Sequence, residues 1–274
     1  MLDFEKFLNN LKTVAPLVHC ITNYVTINDC ANILLACGAS PIMADDPDES
    51  AEITSLAKGL VINLGTLHKY TLPAMLKSGK QANLEGKPVV FDPVGAGASL
   101  FRCESAKMLL ENINFTCIRG NISELKALGL SSSSPKGVDA NPKDEISEEN
   151  FSEILKLINS FSKKTGAVTV ATGKVDIVSG KEGYYIIKNG HPMMSRVTGT
   201  GCMLSSLIGA FLASNPDNAL DAVAAAVCAF GVAGELAYSE NIGSGSYHAR
   251  LIDEIFNMDS IKIKERATYE FHKR

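Results

Sequence analysis

The chain has no C-x-x-C pair, no phosphate loop of the G-x-x-x-x-G-K-[ST] kind, no protein-kinase signature and no long run of like charge. The missing C-x-x-C pair, with seven cysteines set mostly inside apolar runs, excludes a disulfide scaffold or a paired-thiol zinc site and fits a reducing compartment. The two missing signatures exclude the P-loop and protein-kinase folds. Without a clustered basic patch, and at a formal net charge of −4, a nucleic-acid or anionic-membrane surface is not expected. Met1 to Lys6 carries acids where a signal peptide needs basic residues. Ala219 to Tyr238, the one long apolar stretch, is interrupted by Asp221 and Glu235 and reads as a buried helix rather than a membrane span. The expectation is a cytoplasmic protein with neither nucleic-acid nor membrane partners. No internal repeat is evident, and a 46% hydrophobic content supports one sizeable core, so residues 1–274 read as a single domain.

What is present is a regular alternation. Apolar runs Leu17 to Ile21, Pro41 to Asp45, Gly59 to Leu64, Pro88 to Gly95, Phe115 to Arg119 and Ala167 to Ala171 read as strands. Val175 to Val178 and Tyr184 to Ile187 read as a hairpin. Between them, helical spacing predicts an opening helix on Leu2, Phe4, Phe7, Leu8 and Leu11, and others through Ile33 to Leu35, Glu49 to Lys58, Leu67 to Leu84, up to Asn112, from Gly120 onward, and Phe151 to Lys164. Ser131 to Ser147 reads as a mobile loop, and three helices close the chain. Alternating strands and helices imply α/β architecture with a mainly parallel sheet covered on both faces. Ligands then bind beyond the carboxyl ends of the strands, which puts Asp92, Arg119, Asn121 and Glu124 on one rim.

One stretch organises the rest. Arg196-Val197-Thr198-Gly199-Thr200-Gly201-Cys202 runs straight into the helical segment Met203 to Ala213. Its glycines free the backbone to turn, and the unpaired N–H groups of the following helix form an anion hole. Cys202 falls in the first turn, where the helix field is expected to favour thiolate over thiol; the plainer alternative is a small buried hydrophobe. Asp92 and Glu124 are oxygen ligands suited to Mg²⁺, and Arg119 offers a cationic fork to phosphate oxygens. Together these make a phosphoryl-transfer site. A second enzyme reading makes Cys202 an acyl-transfer nucleophile with His19 or His191 as base, and a third is a non-catalytic nucleotide-binding regulator.

The sequence resembles the hydroxyethylthiazole kinases, the thiamine-salvage branch of the ribokinase-like superfamily, over nearly its whole length. The resemblance rests on Thr22-Asn23-Tyr24-Val25 with Asn28 and Ala31-Asn32, Pro41-Ile42-Met43-Ala44, Asn63-Leu64-Gly65-Thr66, Asp92-Pro93-Val94-Gly95-Ala96, Arg119-Gly120-Asn121 with Glu124, Ala171-Thr172-Gly173 and Thr198 to Cys202. It implies a three-layer α/β/α sandwich and ATP-dependent phosphorylation of 5-(2-hydroxyethyl)-4-methylthiazole. Hydroxymethylpyrimidine and pyridoxal are the rival acceptors. By the same resemblance Cys202 is the base, Gly199, Thr200 and Gly201 form the anion hole, and Arg119 and Thr172 contact ATP. Asp92 and Glu124 sit around Mg²⁺, while Met43, Gly199 and Asn23 touch the thiazole. A homotrimer with active sites at subunit interfaces is implied as well.

Overall fold

The computed structural model describes residues 2–129, 146 and 150–274. The expected 131–147 loop lies outside the described residues except for position 146. Strands β1 (Leu17–Ile21), β2 (Ser40–Ile42), β3 (Gly59–Asn63), β4 (Val89–Asp92), β5 (Cys117–Asn121) and β6 (Val168–Thr172) pair in parallel. Strands β7 (Asp176–Ser179), β8 (Gly183–Ile187) and β9 (Tyr269–Lys273) extend the same sheet in antiparallel fashion. The order across the nine strands is β2-β1-β3-β4-β5-β6-β7-β8-β9. Parallel neighbours need crossovers, supplied by α2 (Ile27–Ala36), α3 (Ser50–Leu56), α4 (Thr71–Leu84), α5 (Leu100–Asn112), α6 (Ile122–Gly129) and α7 (Phe151–Thr165).

The central strands are apolar on both faces, as a sheet buried between two helical layers requires. Val18, Cys20, Val61, Val90 and Cys117 face the core shared with α1 (Phe4–Val14), α2, α8 (Thr200–Ser214), α9 (Ala219–Leu236), α10 (Ser244–Phe256) and α11 (Ser260–Arg266). Ile21, Leu60, Ile62, Phe91 and Ile118 face a second core, under α4 to α7. Helix α9 is long and apolar enough to cross a membrane, but most of it is buried inside the protein, as the sequence reading expected.

Three differences from the sequence reading have physical causes. β2 stops at Ile42 because the Ala44 carbonyl turns to the ring of His19, at 2.7 Å, instead of joining a ladder. α4 begins at Thr71 rather than Leu67, after a turn in which Thr71 and His68 exchange hydrogen bonds. Four helices, not three, follow the glycine turn, and β9 then returns to the sheet. β9 pairs Tyr269 with Ile187 and Phe271 with Tyr185. Its Glu270, His272 and Lys273 leave no continuous apolar signal, as befits an edge strand guarded by charge.

Candidate active site

The carboxyl ends of the parallel strands converge on the first turn of α8. Gly199, the residue before that helix, has φ +85°, and a Cβ there would lie 2.9 Å from Thr26 Cγ2 and 3.0 Å from Asp29 Oδ2, so both conformation and space call for glycine. The first bond across the turn runs from Met203 N to Gly199 O at 2.8 Å. The N–H groups of Thr200, Gly201 and Cys202 lie ahead of it and offer donors beyond the rim.

Cys202 is buried, and its sulfur receives two amide N–H groups, from Asn23 Nδ2 and Asn63 Nδ2, each at 3.3 Å. Asn23 also donates to Asn63 Oδ1 at 3.1 Å, and Asn63 donates on to Asp92 Oδ2 at 2.9 Å. Ser205, one turn along α8 from Cys202, donates to the same Asp92 oxygen at 2.8 Å. Asn23 is itself fixed by Thr26, whose N–H and hydroxyl both donate to Asn23 Oδ1 at 3.1 Å. Thiol, two amides and carboxylate thus form one connected network.

Arg119 lies on the other side of Asp92. Its Nη2 donates to Thr172 Oγ1 at 2.7 Å, and its Nη1 is 3.6 Å from Asp92 Oδ1. A Cβ on Gly201 would come within 2.5 Å of Nη1, so the guanidinium is laid against the bare backbone of α8. Glu124 Oε1 accepts from Gly95 N and Oε2 from Asn121 N, both at 2.9 Å, while Asn121 Oδ1 accepts from Glu124 N at 2.8 Å. This reciprocal cap opens α6 and fixes the carboxylate on the rim. Arg119, Asn121 and Glu124 therefore share the rim with Asp92, as expected from the sequence.

Burial pushes the Asp92 carboxyl up to about 6; the Arg119 charge opposes the rise and Glu124 adds to it. Cys202 departs from expectation. Its thiol is pushed above the ordinary value, first by burial and then by the Asp92 charge, against the hydrogen bonds from Thr26 and Asn23 and the Arg119 charge. The helix-end field is present, but desolvation beside a carboxylate outweighs it, so the sulfur rests as a thiol.

Met43 lies just after edge strand β2, half-buried and packed against the α8-side core, with no hydrogen bond linking it to the network. Neither histidine considered as a partner for Cys202 serves as one. His19 is buried against Thr54 and Ala44, and His191 accepts from Met193 N and stacks on Tyr238. Asn63, named from sequence only within a segment of the family resemblance and given no role, and Ser205, not named at all, complete the network. Their signals were weak but present: Asn63 ends its strand in register with Asp92, and Ser205 lies three residues after Cys202 on one helix face.

The same fold occurs in a ribokinase-like superfamily protein from Enterococcus faecalis V583, 14% identical, with a TM-score of 0.58 over 90% of this chain and 88% of that one. The fold is therefore the ribokinase-like three-layer α/β/α sandwich. Within it, the model of the hydroxyethylthiazole kinase family matches residues 8–260. The chain is 52% identical to a hydroxyethylthiazole kinase of Clostridium acetobutylicum, over 96% of this chain and 97% of that protein. It is also 36% identical to the hydroxyethylthiazole kinase of Pyrococcus horikoshii OT3, with a TM-score of 0.88 over 98% of both chains. The chain belongs to the hydroxyethylthiazole kinase family and is a kinase that phosphorylates an alcohol with ATP.

Proposed function

We propose that this chain, acting as a single kinase domain, transfers the γ-phosphoryl group of ATP to the primary hydroxyl of 5-(2-hydroxyethyl)-4-methylthiazole. The observation that carries the reading is the placement of the Cys202 sulfur, held by Asn23 and Asn63 at the start of α8, one residue from the glycine that backs Arg119. The acceptor hydroxyl sits at that sulfur, and the phosphoryl oxygens face the N–H groups of residues 200–202. Arg119, steadied by Thr172, balances their charge on the nucleotide side. The transition state of phosphoryl transfer is loose, so the hydroxyl proton leaves late and a modest base suffices. The thiolate fraction of Cys202 takes that proton; the Asn23 and Thr26 hydrogen bonds favour it against the burial and the Asp92 charge that hold the resting sulfur as a thiol.

Asp92 and Glu124 are the residues that would hold Mg²⁺. The fit is supported by Asp92 Oδ1, a buried oxygen with no hydrogen-bond partner, and by the Glu124 charge felt at Asp92. Among the described residues no cluster of three or more His, Cys, Asp or Glu side chains is arranged for a metal, which suits an ion held largely through phosphate and water. When bound, Mg²⁺ would neutralise phosphate charge during transfer. Met43, Gly199 and Asn23 are assigned to the thiazole. Met43, placed just after edge strand β2, is assigned to complete a neighbouring subunit's site in a homotrimer. The free cysteines suit the cytoplasmic location that belongs to the same proposal.

ADP release from Mg·ATP, measured with the thiazole alcohol, hydroxymethylpyrimidine and pyridoxal side by side, tests the proposal. Release that depends on the thiazole and stops with EDTA is expected. Preference for either rival alcohol overturns the substrate assignment, and release with no alcohol dependence overturns the transfer.

A further inference from the structure

A histidine is an unexpected residue in a parallel strand covered on both faces, where apolar side chains dominate. His19 occupies the middle of β1 and is fully buried. Burial lowers its pKa, with the Ala44 carbonyl and the Asp45 charge opposing, so the ring is held neutral. Its hydrogen bonds fix the tautomer. Nε2 lies 2.7 Å from Ala44 O, a carbonyl that can accept and not donate, so Nε2 carries the proton. Nδ1 is then the acceptor facing the Thr54 hydroxyl at 2.9 Å, whose single proton is shared between Nδ1 and Ser50 O, to which it also donates at 2.9 Å. The imidazole thus bridges α3 to the chain leaving β2.

The segment it grips is anchored at its far end, where Asp46 O accepts from Ser50 N at 2.9 Å and Asp46 Oδ1 from Asp48 N at 2.8 Å, and His19 holds the stretch between that anchor and β2. β2 is three residues long and lies at the edge of the sheet, and residues 43–46 after it belong to no helix or strand. Ala44, whose carbonyl His19 holds, is the immediate neighbour of Met43. A buried polar group costs free energy unless its hydrogen bonds are made, and here both ring nitrogens are used on one task.

We infer that His19 is a positioning residue for the alcohol substrate, fixing the 43–46 segment so that the Met43 side chain is presented at a set height beyond the sheet. This rests on the assignment of Met43 to the thiazole made above. His19 has no polar contact with the Cys202 network, so its effect is confined to the acceptor.

The test compares His19→Leu, which removes the donor, with His19→Gln, which keeps an N–H able to reach Ala44 O. Steady-state kinetics are combined with amide hydrogen exchange over residues 43–46. His19→Leu is expected to raise KM for the thiazole alcohol about tenfold, the scale of one lost apolar contact. KM for ATP stays within about twofold, exchange over 43–46 accelerates, and His19→Gln recovers most of both effects. If His19→Leu does not fold, Thr54→Val, which removes the donor to Nδ1, is expected to show the same pattern more weakly. An unchanged KM for the alcohol, a parallel rise in both KM values, or failure of His19→Gln to recover overturns the inference. If the wild-type protein does not phosphorylate the thiazole at all, the Met43 assignment falls. Exchange over 43–46 then decides separately whether His19 holds the segment.

Discussion

Asn63 and Asp92 are register partners at the ends of adjacent parallel strands, and the Asn63 amide spans from Asp92 Oδ2 at 2.9 Å to the Cys202 sulfur at 3.3 Å. One NH₂ group therefore serves both the carboxylate and the thiol. Asn63→Ala removes both bonds together. Hydrogen bonds to charged groups contribute about 1.5–3 kcal/mol, so kcat is expected to fall roughly 10- to 100-fold with KM for ATP little changed. Steady-state kinetics with ATP and acceptor varied separately check this.

Gly201→Ala separates folding from function. The added methyl would meet the tip of Arg119, a flexible group that can swing away, while alanine favours the helix by up to about 1 kcal/mol over glycine. Thermal unfolding is expected at or above the wild-type temperature. KM for ATP is expected to rise about tenfold or more, as a charge-assisted contact is lost. Gly199→Ala should behave differently, losing stability through its positive φ and the crowding by Thr26 and Asp29.

The two shifted groups set the pH profile. Activity needs Asp92 ionised to hold Mg²⁺, and its metal-free carboxyl is pushed up to about 6, so activity at limiting Mg²⁺ should fall as pH drops through that value. It needs the Cys202 proton acceptor free, and because that thiol is pushed upward, kcat should keep rising into the alkaline range. Cys202→Asp supplies a base already ionised at neutral pH and should retain much of the activity while flattening the alkaline rise. A pH profile of kcat for both proteins checks the pair of limbs.

Asp92 is also a stability liability. Its folded carboxyl binds a proton more tightly than the ordinary value near 3.8, up to about 6, so the native state holds the extra proton and wild-type stability falls as pH rises through that window. Asp92→Asn, measured in EDTA by chemical denaturation, should match wild type near pH 4 and be more stable above neutrality, by about 1–3 kcal/mol. Its kinase activity should be nearly abolished.

Much of this site was legible in the sequence because its members end strands or open helices. Asp92, Asn121, Thr172 and the Gly199 to Cys202 turn sit where glycine, proline and polar residues interrupt apolar runs. Asn63 was not assigned because an asparagine at a strand end is generic until the sheet sets its neighbour. The direction of the Cys202 shift was hidden for a related reason. The helix end is a local feature, whereas burial and the Asp92 charge come from distant segments. β9 was hidden because Glu270, His272 and Lys273 interrupt the apolar run that would have announced it.

The account turns on the Cys202 sulfur as proton acceptor, and its most direct test is kcat of Cys202→Ala with Mg·ATP and the thiazole alcohol. General-base contributions are about 10²- to 10⁴-fold, and the account predicts a drop toward the lower end of that range. Residual turnover is sustained by the anion hole and Arg119. Wild-type turnover in the alanine variant would contradict it.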